Sequence, residues 1–465
     1  MTALPVAFRS NQGAYKFIGT TTLENAFAEQ MGADGKGTLA VIPSEGLVEF
    51  ADTESGPCRG LIFMEDMEVI YSVHSSGAYK IEEDGTVTRV GTVPGFDPVQ
   101  LSRNQNASPQ VTIRSDAGLQ VLESDSVSFV IDPDIPNNPV TQDYVSGYTV
   151  PGYEDRTFFK SGINQSKSYN ALDFATFEQK AGKLIRIKEH AGELVGFCST
   201  WMEFWRDTGD ADFPFSPIGW KPRGLKAANA VISSDNTLMF PGDDNNVYRL
   251  NNYDPAVISN HEVARLIQND PAGEDIVGFG FDRAGHAFAT FTGSDWTRVY
   301  DARTQVWHSR KSYGRDRWRA NYSVRAWGKT IVGDRLSGKL LYLDKDTFTE
   351  DGQTMVWRVT SPPMHTFPNG GIIDALHLDL ATGYGTLSGT GSNPKVMVEV
   401  STDGGNVFTQ YRELSLGIAG KYASRVTARR LGRFGPKGAV FRISISDPVV
   451  RALVNVDAEV RPLKR

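Results

Sequence analysis

Two stretches of the chain concentrate cations densely enough to do chemistry. Between Trp307 and Arg325 stand Arg310, Lys311, Arg315, Arg317, Arg319 and Arg325, interleaved with Tyr313, Trp318 and Tyr322 and opposed only by Asp316. Cations that neutralise phosphate, set beside rings that stack on bases, are how proteins hold single-stranded nucleic acid. The same composition suits a strand pair between neighbouring sheets, with arginines bridging sheets or subunits and the rings buried. That second reading is favoured, because cation–aromatic contacts are common in ordinary structures. The other cluster, Arg425, Arg429, Arg430, Arg433 and Lys437, falls in what reads as a glycine-rich link between two strands. Its arginines suit a phosphate backbone or a carboxylate-rich partner subunit, and the partner is favoured.

Other constellations have residue types that could serve catalysis. Ser401-Thr402-Asp403-Gly404-Gly405-Asn406-Val407-Phe408 has the pattern of an Asp-box turn, in which the carboxylate caps a hairpin. Sialidases carry that box in several copies, so a glycan-cleaving or glycan-binding protein is the alternative from a different class. One copy is convincing here, and the box is structural even in those enzymes. His261-Glu262 lacks the second histidine of a zinc protease, and His286, His308 and His365 stand apart in sequence. Neither a phosphate-binding loop nor a nucleophile elbow occurs, and Asp243-Asp244 reads as a solvated turn. No enzyme activity, cofactor or metal is expected.

The 465 residues exceed what a single core usually supports, so several domains or one large repeat architecture are expected. With 55 acidic and 48 basic residues the net charge is -7, which argues against a surface that grips nucleic acid or anionic lipid throughout. Any DNA contact should be local. Cys58 and Cys198 fit neither a metal knuckle nor a disulfide framework, and imply synthesis in a reducing compartment. No stretch approaches the roughly 20 apolar residues of a membrane span.

The elements that must position these residues are strands. From residue 59 onward, short β-rich runs alternate with Gly, Asn and Asp turns, as in 61–63, 68–73, 78–81 and 87–90, split at Ser75-Ser76-Gly77 and Asp84-Gly85. Similar groups follow at 110–131, 184–205, 228–250, 276–307 and 324–343. Four strands in about 35 residues is one propeller blade, so residues 59–352 are expected to form a β-propeller of about five to seven blades. A sandwich array or mixed β domain stays open on this evidence. The run 260–267 has helical apolar spacing with Asn260 as N-cap. After residue 352 the strands lengthen (353–360, 372–380, 395–401, 440–445, 453–460), as in a β-sandwich-like platform over 353–465. Residues 1–58 form no blade alone; they are expected to complete the platform or reach a neighbouring subunit.

An ordered series of motifs resembles the packaged-DNA stabilisation proteins, which form the tail nozzle of short-tailed phages. It runs through Gly91-Thr92-Val93-Pro94-Gly95, Asn104-Gln105, Phe159-Lys160-Ser161, Asn164, Tyr169 and Leu172-Asp173-Phe174-Ala175 with Glu178. It continues through Glu203, Trp205, Gly209, Phe213-Pro214-Phe215, Asn236-Thr237-Leu238, Gly242-Asp243, Val247-Tyr248 and Val257-Ile258-Ser259 before Glu262. Gln165-Ser166 departs from the family's Asp-Gly turn, and Phe177 stands where a small residue is usual. The resemblance implies a structural virion protein, a homo-hexameric ring below the portal and its adaptor ring that retains packaged DNA and gates its ejection. It further implies contact with tail spikes or fibres and with a tail needle or plug, transient non-specific contact with double-stranded DNA, no membrane insertion, and assembly in the host cytoplasm. A channel through which DNA slides should not grip it at many phosphates, which strengthens the partner reading of the second arginine cluster.

Overall fold

Alternating apolar runs and tight turns give seven four-stranded antiparallel blades, the last two continuous with larger sheets, in the computed structural model, which describes residues 2–3, 7–32, 39–210 and 212–463. Blades 1 to 6 span residues 58–92, 100–129, 141–176, 184–221, 232–257 and 277–309, and residues 320–344 supply three strands of blade 7. The first strands of successive blades, those of blades 4 and 5 aside, lie against one another, and Ala320–Ala326 returns to Cys58–Met64 to close the ring. Blades 4 and 5 are joined by a shared core of Phe197, Phe204, Leu238 and Phe240. The turn residues do what their types dictate. In blade 5, Asp235 and Asn236 both have positive φ (51° and 54°), the geometry of a two-residue hairpin.

Blade 7 takes its fourth strand from the far end of the chain. Gly46–Asp52 pairs antiparallel with Lys339–Asp344, from Asp344↔Gly46 to Lys339↔Asp52. Gly46 is required by close approach, since a Cβ there would lie 2.4 Å from the Thr347 carbonyl oxygen. Just before it, Glu45 is buried and ion-paired with Arg283, Oε1 to Nε 2.9 Å, while Arg310 Nη2 donates to the Glu45 carbonyl at 2.7 Å. The ring is thus latched by a strand that no local pattern announces.

The platform is a sandwich of two sheets. One has the order Ala26–Gln30, Leu39–Pro43, Leu453–Pro462, Gly371–Leu380, Val426–Phe434, with Thr2–Ala3 added beside Leu453–Pro462. The other runs Thr20–Glu24, Trp357–Thr360, Val440–Ile445, Lys395–Ser401, Gln410–Ser415, and continues into blade 6 through the parallel pair Glu24↔Ser309. Leu376, Val398, Leu431, Phe441 and Leu453 fill the space between the sheets. The N-terminal residues therefore serve both domains.

The helix His261–Asn269 starts as its sequence predicts: Asn260 Oδ1 accepts from Val263 N at 2.9 Å. Its side-chain nitrogen also donates to the Ser10 carbonyl at 2.8 Å, tying the N-terminal segment to the propeller. Asn260→Ala should cost about 1–2 kcal/mol, the upper part of the usual N-cap range because both bonds are lost. A urea titration reads this; a change below the N-cap range would show that the cap does not bear on stability.

Candidate functional site

The two cationic clusters have different fates. Arg310 is buried, lies 3.7 Å from the Trp318 ring centroid, and approaches Glu45 Oε2 at 3.4 Å. Burial lowers its pKa, partly offset by Glu45 and Glu350. Arg319 holds Asp334 through Nε at 3.1 Å and Nη2 at 2.5 Å. Lys311 pairs with Asp316 at 3.2 Å, and Arg317 donates to the Gly293 carbonyl at 2.8 Å. Burial pushes Arg317 down to about 10, with Arg335 and Arg315 adding to the shift. Arg315 and Arg325 are exposed, with no partner for either guanidinium among the described residues. Of the candidate interface or channel-facing cations, Arg310 and Arg319 are buried against carboxylates of the same chain, as in the favoured reading of arginines that bridge sheets.

The second cluster is open. Arg429, Arg430 and Arg433 do not lie in a link but on the strand Val426–Phe434, with Arg425 just before it. Among the described residues that strand pairs with Gly371–Leu380 alone and forms an edge of its sheet, where Arg412 Nη2 donates to the Arg430 carbonyl at 3.2 Å. A register shift opposite Ile373–Ala375 places Arg430 at φ 57° and keeps consecutive Arg429 and Arg430 exposed. Val426, Ala428, Leu431 and Phe434 remain buried and hold the strand. Arg425, Arg429, Arg430 and Arg433 are all exposed, and none of their guanidinium groups has a hydrogen bond or ion pair among the described residues. An edge strand is a template for unwanted pairing, and a row of cations both guards it and leaves it ready for a chosen anionic surface.

The motif residues are structural locks. Asn164 supplies the positive φ (54°) of the blade 3 hairpin that its neighbours Gln165-Ser166 do not, and its carbonyl accepts from Asn104 Nδ2 at 3.0 Å. Asn104 in turn grips Gln110 Oε1 and Ser166 Oγ, joining blades 2 and 3. Lys160 pairs with Asp173 at 2.6 Å across one hairpin. Phe177 is completely buried, its ring 4.8 Å from that of Phe158; a Cβ on Gly196 would lie 2.3 Å from it, so the missing side chain opposite makes room.

Glu203 is an exception among the locks: it is buried with Oε2 unpaired, and burial raises its pKa to about 7. Its carboxyl binds a proton more tightly folded than unfolded, so stability should fall as pH rises from about 4.5 through 7. Glu203→Gln should flatten that slope and be the more stable protein at pH 8 by about 1–2 kcal/mol, part of the gain being offset by the amide's own burial. Parallel pH–stability curves for the two proteins would contradict this assignment.

Groups that suggest catalysis are occupied structurally. Asp403 accepts from Ser401 Oγ, Asn406 N and Val407 N at 2.6, 2.9 and 3.1 Å, and those bonds lower its pKa. Phe408 lies 3.6 Å below the Arg442 guanidinium. His286, unlike its reading from sequence spacing, has a carboxylate partner: its Nδ1 is 2.8 Å from Asp301 Oδ2, with the ring packed on Phe288 and Phe27. Cys58 and Cys198 are free and buried, which pushes both thiols up to about 12. Among the described residues no three His, Cys, Asp or Glu side chains are grouped to hold a metal, and no helix is long and apolar enough to cross a membrane.

A propeller latched by its N-terminal segment and carried on a sandwich, with its motif residues engaged in packing, defines an all-β propeller-and-sandwich protein. Comparison with protein families makes that specific. Residues 13–348 match the family described as bacteriophage P22 Gp10, beta-propeller, and residues 356–461 match bacteriophage P22 Gp10, beta-sandwich. The chain belongs to this family and is a phage tail structural protein of the nozzle type. No curated protein matches it significantly. Among solved structures, the computationally designed Ika8 protein aligns at 8% identity with a TM-score of 0.41, over 64% of this chain and 99% of that one.

Proposed function

We propose that this chain is the repeating subunit of a hexameric ring below the portal and adaptor, where it closes the DNA channel, retains the packaged genome and gates its ejection. The observation that supports this most is the edge strand Val426–Phe434, whose three arginines and the preceding Arg425 have no partner among the described residues, on a chain of net charge -7. A cationic edge on a predominantly acidic molecule gives each copy two complementary surfaces, which is what a head-to-tail ring requires. The arginines accordingly meet carboxylates of the next subunit, and DNA passing through the ring makes only transient, non-specific contacts. Spikes or fibres and a needle or plug dock on the assembled ring.

Purified protein measured by light-scattering mass across salt concentration tests the proposal. Rings at low salt that dissociate as salt screens the arginine contacts support it. A monodisperse monomer under all conditions, with glycan hydrolysis in a substrate screen, would replace it with the carbohydrate-active alternative.

A further inference from the structure

The propeller axis carries a second cluster of donors, separate from the platform arginines. A cavity of about 160 Å³ lies where the first strands of the blades converge, lined by apolar groups including Leu61, Leu101 and Val231 and by the polar side chains of Gln100, Arg186, Asn229 and Tyr322. Among the described residues no carboxylate lines it. Arg186 makes no hydrogen bond or ion pair among the described residues, and its Nε and Nη1 are buried without partners, as is the Tyr322 hydroxyl. Leaving a guanidinium buried and unpaired is costly, and burial pushes Arg186 down to about 10.

The neighbouring groups do not relieve it. Asp143 is the carboxylate whose field reaches Arg186, but its Oδ2 accepts from Lys188 Nζ at 2.8 Å and Glu189 N at 2.9 Å. Arg114 adds like charge. Around Tyr322 stand Arg59 and Arg335 as well as Arg186, with Asp275 acting on Arg335 and Asp97 and Asp116 on Arg59. Gln100 contributes a further donor: its Oε1 accepts from Thr141 Oγ1 and Gln142 N, both at 3.0 Å, which leaves its amide nitrogen without an acceptor.

We infer that this axial cavity is a binding site for a small oxyanion of phosphate or sulfate size, with Arg186 as its charged ligand and Gln100 and Tyr322 as neutral donors. An oxyanion presents several acceptors in different directions, which matches donors converging from blades 2, 4 and 7. Because those three blades lie apart on the ring, the anion ties them together at the axis and stabilises the folded propeller by mass action.

The test is a thermal melt of the full-length chain in increasing inorganic phosphate, with ionic strength held constant by sodium chloride, repeated with sulfate and with Arg186→Met and Tyr322→Phe. Wild type should show a saturable rise in melting temperature with either oxyanion. Arg186→Met should lose the response and, having shed a buried unpaired charge, melt no lower than wild type without oxyanion. Tyr322→Phe should retain the response with a weaker apparent affinity. Equal responses in wild type and Arg186→Met, a wild type indifferent to both oxyanions, or saturation by chloride alone would each overturn the assignment.

Discussion

Arg310→Met is expected to destabilise the propeller by about 3–5 kcal/mol, the cost of removing one member of a buried ion pair. The reason lies in where Arg310 sits. Its guanidinium bridges the Glu45 side chain and carbonyl at the entrance to the latching strand Gly46–Asp52, and stacks on Trp318. Trp318 Nε1 in turn donates to Glu350 Oε1 at 2.8 Å, on the segment that pairs with the other side of that strand. Removing the cation leaves the Glu45 carboxylate with Arg283 alone and uncouples the latch from blade 7. Chemical denaturation should show a lower midpoint, and hydrogen exchange should show early loss of protection in 46–52 and 339–344. Arg315→Met, in the same cationic run but exposed and unpaired, should change stability by less than about 0.5 kcal/mol. Equal effects of the two substitutions would mean that the latch is not held by the Glu45–Arg310 contact.

Charge reversal of the platform edge should do the opposite: leave the fold and abolish assembly. Arg429, Arg430 and Arg433 are exposed and make no ion pair among the described residues, so the triple change to glutamate should move the unfolding midpoint little. In a ring, those positions would set glutamates against the next subunit's carboxylates, and like charges at a contact cost several kcal/mol. Mass measurement should therefore find monomers under conditions where the wild type forms rings, with an unchanged far-ultraviolet spectrum. Rings of normal mass from the triple variant would remove this edge from the subunit contact.

Much of the architecture was legible because blades are local. The hairpin at Asp235–Asn236 and the cap at Asn260 follow from residue type, and the propeller with a C-terminal sandwich follows from their repetition. What stayed hidden was non-local or irregular. Blade 3 is absent from the groups read by alternation, because its last strand, Gln165–Thr176, is polar and largely exposed, and its turn relies on Asn164 in place of glycine. The fourth strand of blade 7 lies nearly 300 positions from its partner, so no window along the sequence contains both. The register shift at Arg430 and the presence of Gly432 break the alternation that would have marked 426–434 as a strand. The cationic run 310–319 was conspicuous in sequence, yet the carboxylates that bury it, Glu45 and Asp334, declare themselves only in three dimensions. The axial cluster had no sequence signal, since Gln100, Arg186 and Tyr322 meet only when the ring closes.

The most direct test of the proposed role is an image of the assembled phage particle at a resolution that places this chain. Six copies around the tail axis, beneath the portal and adaptor, with the platform edge strands at the contacts between copies, are expected. Density for the chain on the head shell, away from that axis, would contradict the nozzle assignment.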